Sequence, residues 1–252
     1  MSIGAGSVAL GEHVAWCGFS GTGNVIGMAS EVPTVVLVHG AWHGPWCWDG
    51  VRGHLTAAGI ESATVTLPSS GPELGGLQDD IAAVNARLDE LNGPFVLVGH
   101  SYGGIPITSV AATRSDVRHV VYVCAFAIAA GESLLGAVGG TPPEWWVIAA
   151  DERTVTPDDP RKVFFNASNP DVAPQLTPQS MRSFREPLGE AAYGRVPATY
   201  VICERDAAIP AFLQEDMAKG IGAATTRLDA DHSPWLGRPA ELATIIAGST
   251  QQ

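Results

Sequence analysis

Three residues, each just past a strand-like segment, could together carry out acyl transfer: Ser101, Asp206 and His232. Ser101 lies in Gly99-His100-Ser101-Tyr102-Gly103-Gly104, directly after the strand-forming run Phe95 to Val98 and before a helix-compatible segment from Ile105 to about Thr113. A strand, a one-residue corner and a helix in that order force unusual backbone angles on the serine. They also bring strand and helix so close that the positions two before and two after must be small. Gly99 and Gly103 meet that requirement, and Gly104 relaxes it further. The expected result is a hydroxyl held above the sheet edge, with the Tyr102 N–H directed into the same space. A serine is a weak nucleophile until a base sits within hydrogen-bond reach, and that base needs a carboxylate to fix its tautomer. Asp206 follows the strand ending in Cys203, and His232 follows the last strand within Asp231-His232-Ser233-Pro234. The chain order serine, acid, histidine is the one such a sheet produces.

The developing negative charge needs donors as well. One is the Tyr102 N–H. The other should come from the loop after the first core strand, His39-Gly40-Ala41-Trp42-His43-Gly44, with the Ala41 N–H as the candidate. Each such donor typically contributes roughly 2.7–4 kcal/mol. Rival assignments exist. His39, His43 and His100 also sit in site loops; His39 and His100 are read as shaping backbone turns and His43 as lining the pocket. Glu204, Asp229 and Asp231 lie close to Asp206, which is preferred because the acid belongs a few residues past the penultimate strand. Trp145 and Trp146 read as packing, with contact to substrate as the alternative.

The elements that must position these groups follow one rhythm. Thr34 to Val38 is a β-branched run without alternation, as expected of a strand covered on both faces. Trp46 to Ala58 reads as an amphipathic helix closed by Gly59, and Ser62 to Leu67 as the next strand. Leu77, Ile81, Val84, Leu88 and Leu91 mark a helix with Asp79 and Asp80 in its first turn. After the serine corner comes a strand, His119 to Cys124. The alternation predicts a mostly parallel, doubly wound sheet. From Ala127 to about Arg195 the rhythm breaks into proline-punctuated short helical pieces, read as a cap inserted after the fourth core strand. It resumes with strand Ala198 to Cys203, helix Pro210 to Lys219, strand Thr225 to Leu228 and helix Pro239 to Ala247. The expected organisation is an N-terminal extension over 1–31, a core of 32–126 and 196–252, and a cap of 127–195. The extension reads either as a mobile tail or as a short antiparallel pair, Val8 to Leu10 with Val14 to Trp16, leading the sheet.

The 252 residues carry a net charge of −12, with 46% hydrophobic and 16% charged residues. That composition is globular, and its acidity disfavours nucleic acid and anionic membrane surfaces as partners. No apolar run approaches the roughly 18 residues of a membrane span. Cys17, Cys47, Cys124 and Cys203 are scattered, forming neither a disulfide framework nor a zinc site; Cys124 and Cys203 read as small buried hydrophobes. The first Lys or Arg is Arg52, so a secretory start is not expected and the cytoplasm is the expected compartment.

These residues resemble the α/β-hydrolase superfamily, and within it the small cofactor-free branch of methyl-salicylate-type esterases, hydroxynitrile lyases and their bacterial relatives. The matching stretches are Val36 to Trp46, Val98 to Gly104, Tyr200 through Asp206 to Pro210, and Asp231 to Pro234. The resemblance covers about residue 33 to the end, the cap matching only in position and size. It implies the α/β-hydrolase fold, a Ser101/Asp206/His232 triad, Ala41 and Tyr102 as oxyanion donors, no metal or cofactor, and a small-molecule ester as substrate. The hydroxynitrile lyases of this branch carry a lysine after the catalytic histidine, where this chain has Ser233, and tend to have threonine where it has Gly40. Both differences favour ester hydrolysis. A lyase or a slow-turnover ligand receptor remains as the alternative.

Overall fold

The computed structural model describes residues 32–167 and 175–251. The N-terminal segment, with the two short strands considered there and Cys17, lies outside the described residues. The first half of the chain alternates as expected: β1 (Thr34–Val38), α1 (Asp49–Ala57), β2 (Ser62–Val65), α2 (Leu77–Asp89), β3 (Phe95–His100), α3 (Gly104–Thr113) and β4 (Val117–Val123). Single 3-10 turns, Pro45–Trp48 and Ser101–Gly103, lead into α1 and α3.

The 127–195 segment contains the expected short helices, α4 (Leu134–Ala137), α5 (Pro160–Val163) and α6 (Met181–Arg185). It also holds three strands the sequence did not reveal: β5 (Trp146–Ile148), β6 (Thr154–Pro157) and β7 (Gln179–Ser180), paired as an antiparallel sheet in that order. The chain finishes with β8 (Ala198–Cys203), α7 (Ala211–Gly220), β9 (Ala224–Leu228), α8 (Pro234–Gly237) and α9 (Pro239–Gly248).

The main sheet has the order β2-β1-β3-β4-β8-β9, and every neighbouring pair is parallel. Right-handed crossovers then place α1 on one face and α2, α3 and α7 on the other. Helix α9 packs back on α1, and α2 packs on α3. Strands β1 and β3 are buried at every position, and burying each such Val or Leu contributes about 1.5–3 kcal/mol. Edge strand β9 is mostly exposed and carries Thr225, Thr226 and Arg227, which blunts an open edge.

The connections out of β1 and β3 diverge, because β1 leads to β2 on one side while β3 takes the place on its other side. Loops at the carboxyl ends of those two strands therefore frame a crevice. Among the described residues no helix is long and apolar enough to cross a membrane.

Candidate active site

The corner after β3 is as tight as its glycines imply. Ser101 has φ of 52°, a left-handed conformation that a non-glycine residue holds only under surrounding constraint. A Cβ at Gly99 would lie 2.6 Å from the Gly103 carbonyl oxygen, and one at Gly103 would lie 2.6 Å from that of His39. Strand β3, helix α3 and the exit of β1 thus meet backbone to backbone. At Gly40 a Cβ would fall 2.8 Å from the Ser101 Cβ, so the loop after β1 rests directly against the serine.

His232, in the turn after β9, presents Nε2 2.9 Å from Ser101 Oγ. Its Nδ1 lies 2.7 Å from Asp206 Oδ2. The Asp206 carboxylate is gripped on its other side: Oδ1 accepts from the Ala208 and Ile209 amides, both at 2.8 Å. Gln214 of α7 donates from Nε2 to Asp206 Oδ2 at 3.1 Å, while its Oε1 accepts from the Cys203 amide at 2.9 Å. A carboxylate facing Nδ1 and a hydroxyl facing Nε2 require the Nδ1–H tautomer, which leaves the Nε2 lone pair for the serine proton.

The other acids considered have different partners. Glu204 and Asp229 form exposed ion pairs with Arg227 and Arg205. Asp231 accepts from the Ala167 amide at 2.9 Å and the Ser233 amide at 3.0 Å.

The remaining histidines hold backbone. His39 donates from Nδ1 to the Gly40 carbonyl at 2.9 Å and accepts from the Leu67 amide at 3.1 Å, tying the two loops together. Burial lowers its pKa to about 4, so it stays neutral. His100 donates from Nε2 to the His232 carbonyl at 2.7 Å. His43 donates to the Ala41 carbonyl at 2.7 Å, and burial lowers its pKa to about 3. The sequence reading put His43 on the pocket wall. It is instead packed among Trp46, Trp235 and Phe164, with ring centroids 5.5–5.7 Å away.

Ser101 and His232 open into an apolar cavity that Ala41 and Tyr102 also line. Its walls are Trp42, Trp145, Trp146, Phe164 and Phe184 with smaller apolar groups; Trp145 and Trp146 also pack, as read from the sequence, against Trp42, Phe164 and Phe184. Among the described residues no Asp, Glu, Lys or Arg side chain lines it.

His100, Cys124 and His232 form a cluster of metal-ligand types, in which His100 Nδ1 makes no hydrogen bond and the other donor atoms are engaged. Both His232 nitrogens are hydrogen-bonded, His100 Nε2 carries a proton toward a carbonyl, and burial pushes the Cys124 thiol pKa well up. Cys47, Cys124 and Cys203 are free and buried.

Three polar residues have buried roles that the sequence does not signal. Gln214 supports Asp206. Asp80, fully buried, accepts from the Tyr102 hydroxyl at 2.5 Å and the Ser69 amide at 2.9 Å. Gln179, also fully buried, joins Trp42 to Ser69 and Ser183.

The sequence profile of the alpha/beta hydrolase family matches residues 35–245. Over 237 residues the chain is 33% identical to the alpha/beta hydrolase nvfD of Aspergillus novofumigatus, covering 85% of this chain and 95% of that protein. It is 28% identical over 246 residues to methylesterase 7 of Arabidopsis thaliana, covering 84% and 94%. In fold it is similar to a pyrethroid hydrolase from Sphingobium faniae, with a TM-score of 0.75, 24% identity, and 87% and 97% of the two chains covered. By profile, by relatives and by sheet, this chain belongs to the alpha/beta hydrolase family.

Proposed function

We propose that the protein is a serine esterase acting on small, uncharged carboxylic esters. His232 takes the Ser101 proton as Oγ attacks the ester carbonyl, and Asp206 stabilises the imidazolium. The Ala41 and Tyr102 amides receive the oxyanion. His232 then protonates the departing alcohol, and water, activated by the same imidazole, releases the acid from the acyl-enzyme.

The observation that carries this reading is the continuous hydrogen-bonded line from Asp206 through His232 to Ser101, ending in an apolar cavity. The walls favour a neutral acyl or alkoxy group, because a charge there would lose hydration without a partner. Kinship with a protein named methylesterase supports the ester as the bond cleaved. The 127–195 segment acts as a cap over a core of 32–126 and 196–252, supplying Trp145, Trp146, Phe164 and Phe184 to the cavity. A cytoplasmic site for the enzyme is part of the same proposal, supported by three buried free thiols. No nucleic acid or membrane partner is proposed, in keeping with the net charge of −12.

The test is Ser101→Ala with a short p-nitrophenyl ester and a fluorophosphonate label. The variant should lose turnover by at least about 10³-fold and take up no label. Activity within tenfold of the parent would remove the assignment.

A further inference from the structure

Trp42 follows Ala41 and has φ of 65°, the left-handed region that a bulky side chain avoids. Three hydrogen bonds hold it there, and all three come from the 127–195 segment. Its amide donates to Gln179 Oε1 at 3.2 Å, its carbonyl accepts from the Thr177 amide at 2.8 Å, and its indole N–H donates to the Val155 carbonyl at 2.8 Å. The peptide unit joining Ala41 to Trp42 is therefore clamped at both ends, since His43 Nδ1 donates to the Ala41 carbonyl at 2.7 Å. Without the clamp on its N–H, Trp42 can relax toward negative φ, and the turn that presents Ala41 relaxes with it.

Gln179 is itself oriented without ambiguity. Its Nε2 donates to Ser69 Oγ at 2.7 Å and to Ser183 Oγ at 2.8 Å, which leaves Oε1 for Trp42. Ser69 continues the line through its hydroxyl and its amide to the Asp80 carboxylate, which also accepts from the Tyr102 hydroxyl at 2.5 Å. One buried polar chain thus runs from the residue after one oxyanion donor to the side chain of the other. Its central member belongs to β7 of the cap segment. Buried networks of this kind hold geometry because a half-satisfied one is costly.

We propose that Gln179 is a positioning residue for the oxyanion hole, acting through the Trp42 amide, so that the cap segment completes the catalytic site besides covering it. The inference rests on the serine-esterase reading above. It calls for an effect on the transition state and little on the ground state.

The experiment compares Gln179→Met, which is near-isosteric but offers neither donor nor acceptor, with Gln179→Glu, which keeps an acceptor toward Trp42. Each is assayed for kcat and KM on p-nitrophenyl acetate and for inhibition by an aryl trifluoromethyl ketone. That ketone adds Ser101 Oγ to its carbonyl carbon, the C=O π pair becoming the alkoxide and the serine proton passing to His232. Inhibition by the parent carboxylic acid product measures ground-state binding.

Gln179→Met should lose roughly tenfold or more in kcat, less than the 10²–10³ of a deleted donor. KM and product affinity should stay within about twofold, and the ketone Ki should rise in parallel with the loss in kcat/KM. Gln179→Glu should recover at least half of the logarithmic loss. Should Gln179→Met not fold, Gln179→Asn serves on the same readouts, being one methylene too short to span Ser69 and Trp42 together. Parent-like kcat in Gln179→Met, a ketone Ki that does not follow kcat/KM, or equal impairment in the Glu variant overturns the inference. With Ser101→Ala run alongside, retained turnover there overturns the esterase reading instead.

Discussion

Replacing Asp206 by asparagine changes one atom of a buried carboxyl and should nearly silence the enzyme. The two backbone amides of Ala208 and Ile209, each 2.8 Å from Oδ1, demand an acceptor at that position. The asparagine oxygen therefore takes the Oδ1 place, and its NH₂ lands where Oδ2 now faces His232 Nδ1 at 2.7 Å and Gln214 Nε2 at 3.1 Å. A donor opposite Nδ1 forces the neutral imidazole to carry its proton on Nε2, 2.9 Å from Ser101 Oγ, where it blocks proton acceptance. Turning the amide over restores the useful tautomer but faces NH₂ against two buried N–H donors, at about 1–3 kcal/mol each. Loss of the charged acceptor removes roughly 1.5–3 kcal/mol more from the imidazolium state. Together these terms amount to about 3.5–9 kcal/mol, which brackets the loss of about 10⁴-fold typical of a wrong-tautomer triad. The assay is kcat/KM for p-nitrophenyl acetate near pH 8, with circular dichroism to verify the fold. Asp229→Asn, at a carboxylate that is 61% exposed, is the control and should stay within about twofold. A folded Asp206→Asn within tenfold of the parent would refute this account of the acid's role.

Other perturbations separate packing from chemistry. Gly99→Ala pushes a Cβ to 2.6 Å from both the Gly103 oxygen and Ile107 Cδ1, and should cost at least the roughly 1–3 kcal/mol of an overpacked core; an unchanged melting temperature would contradict it. Gly53→Ala in α1 meets nothing within 4 Å and should instead stabilise by up to about 1 kcal/mol, read in the same melt. Acidification should destabilise the protein. His39 and His43 are held neutral with pKa values of about 4 and about 3, against about 6.5 when unfolded, so their contribution is complete above pH 6.5 and falls away as pH drops toward 4. Asp80 works the other way: burial raises its pKa to about 6, so it binds its proton in the folded state first and offsets part of the loss below that pH. The histidines outweigh it, His39 alone accounting for on the order of 3 kcal/mol by pH 4. The melting temperature should then fall by roughly 10 °C between pH 7 and pH 4.5, and a flat profile would oppose the scheme.

The serine corner was readable because its demand is local: only glycine fits where backbone meets backbone, and Gly99 and Gly103 sit at that contact. Strands β1, β3 and β4 were readable because a strand covered on both faces needs an unbroken apolar run. Asp206 and His232 were singled out by position, as candidates just beyond strand ends, and the fold brings both to Ser101. What stayed hidden is polar and buried, or very short. Asp80 reads as a first-turn acid favoured by the helix dipole, yet it takes the inner position of α2 beside Leu77, Val84 and Leu88, while Ile81 is half-buried. Gln214 and Gln179 look like surface residues until their partners, far away in sequence, come into place. The strands of the 127–195 segment, one of only two residues, fall below the length at which periodicity can register. His43 was misplaced because a loop histidine near Ser101 gives no hint of the four aromatic rings, from Trp46, Phe164, Phe165 and Trp235, that enclose it.

The bare α-carbon at residue 40 sets a boundary on how far this scaffold can be retooled. A methyl group there would sit 2.8 Å from the Ser101 Cβ and 2.9 Å from His100 Nδ1. Any chemistry that wants a second hydroxyl from that position would first have to pry two neighbouring turns apart, dragging Ser101 out of line with His232. Access to such reactions therefore runs through changes in loop spacing, before any exchange of reactive groups.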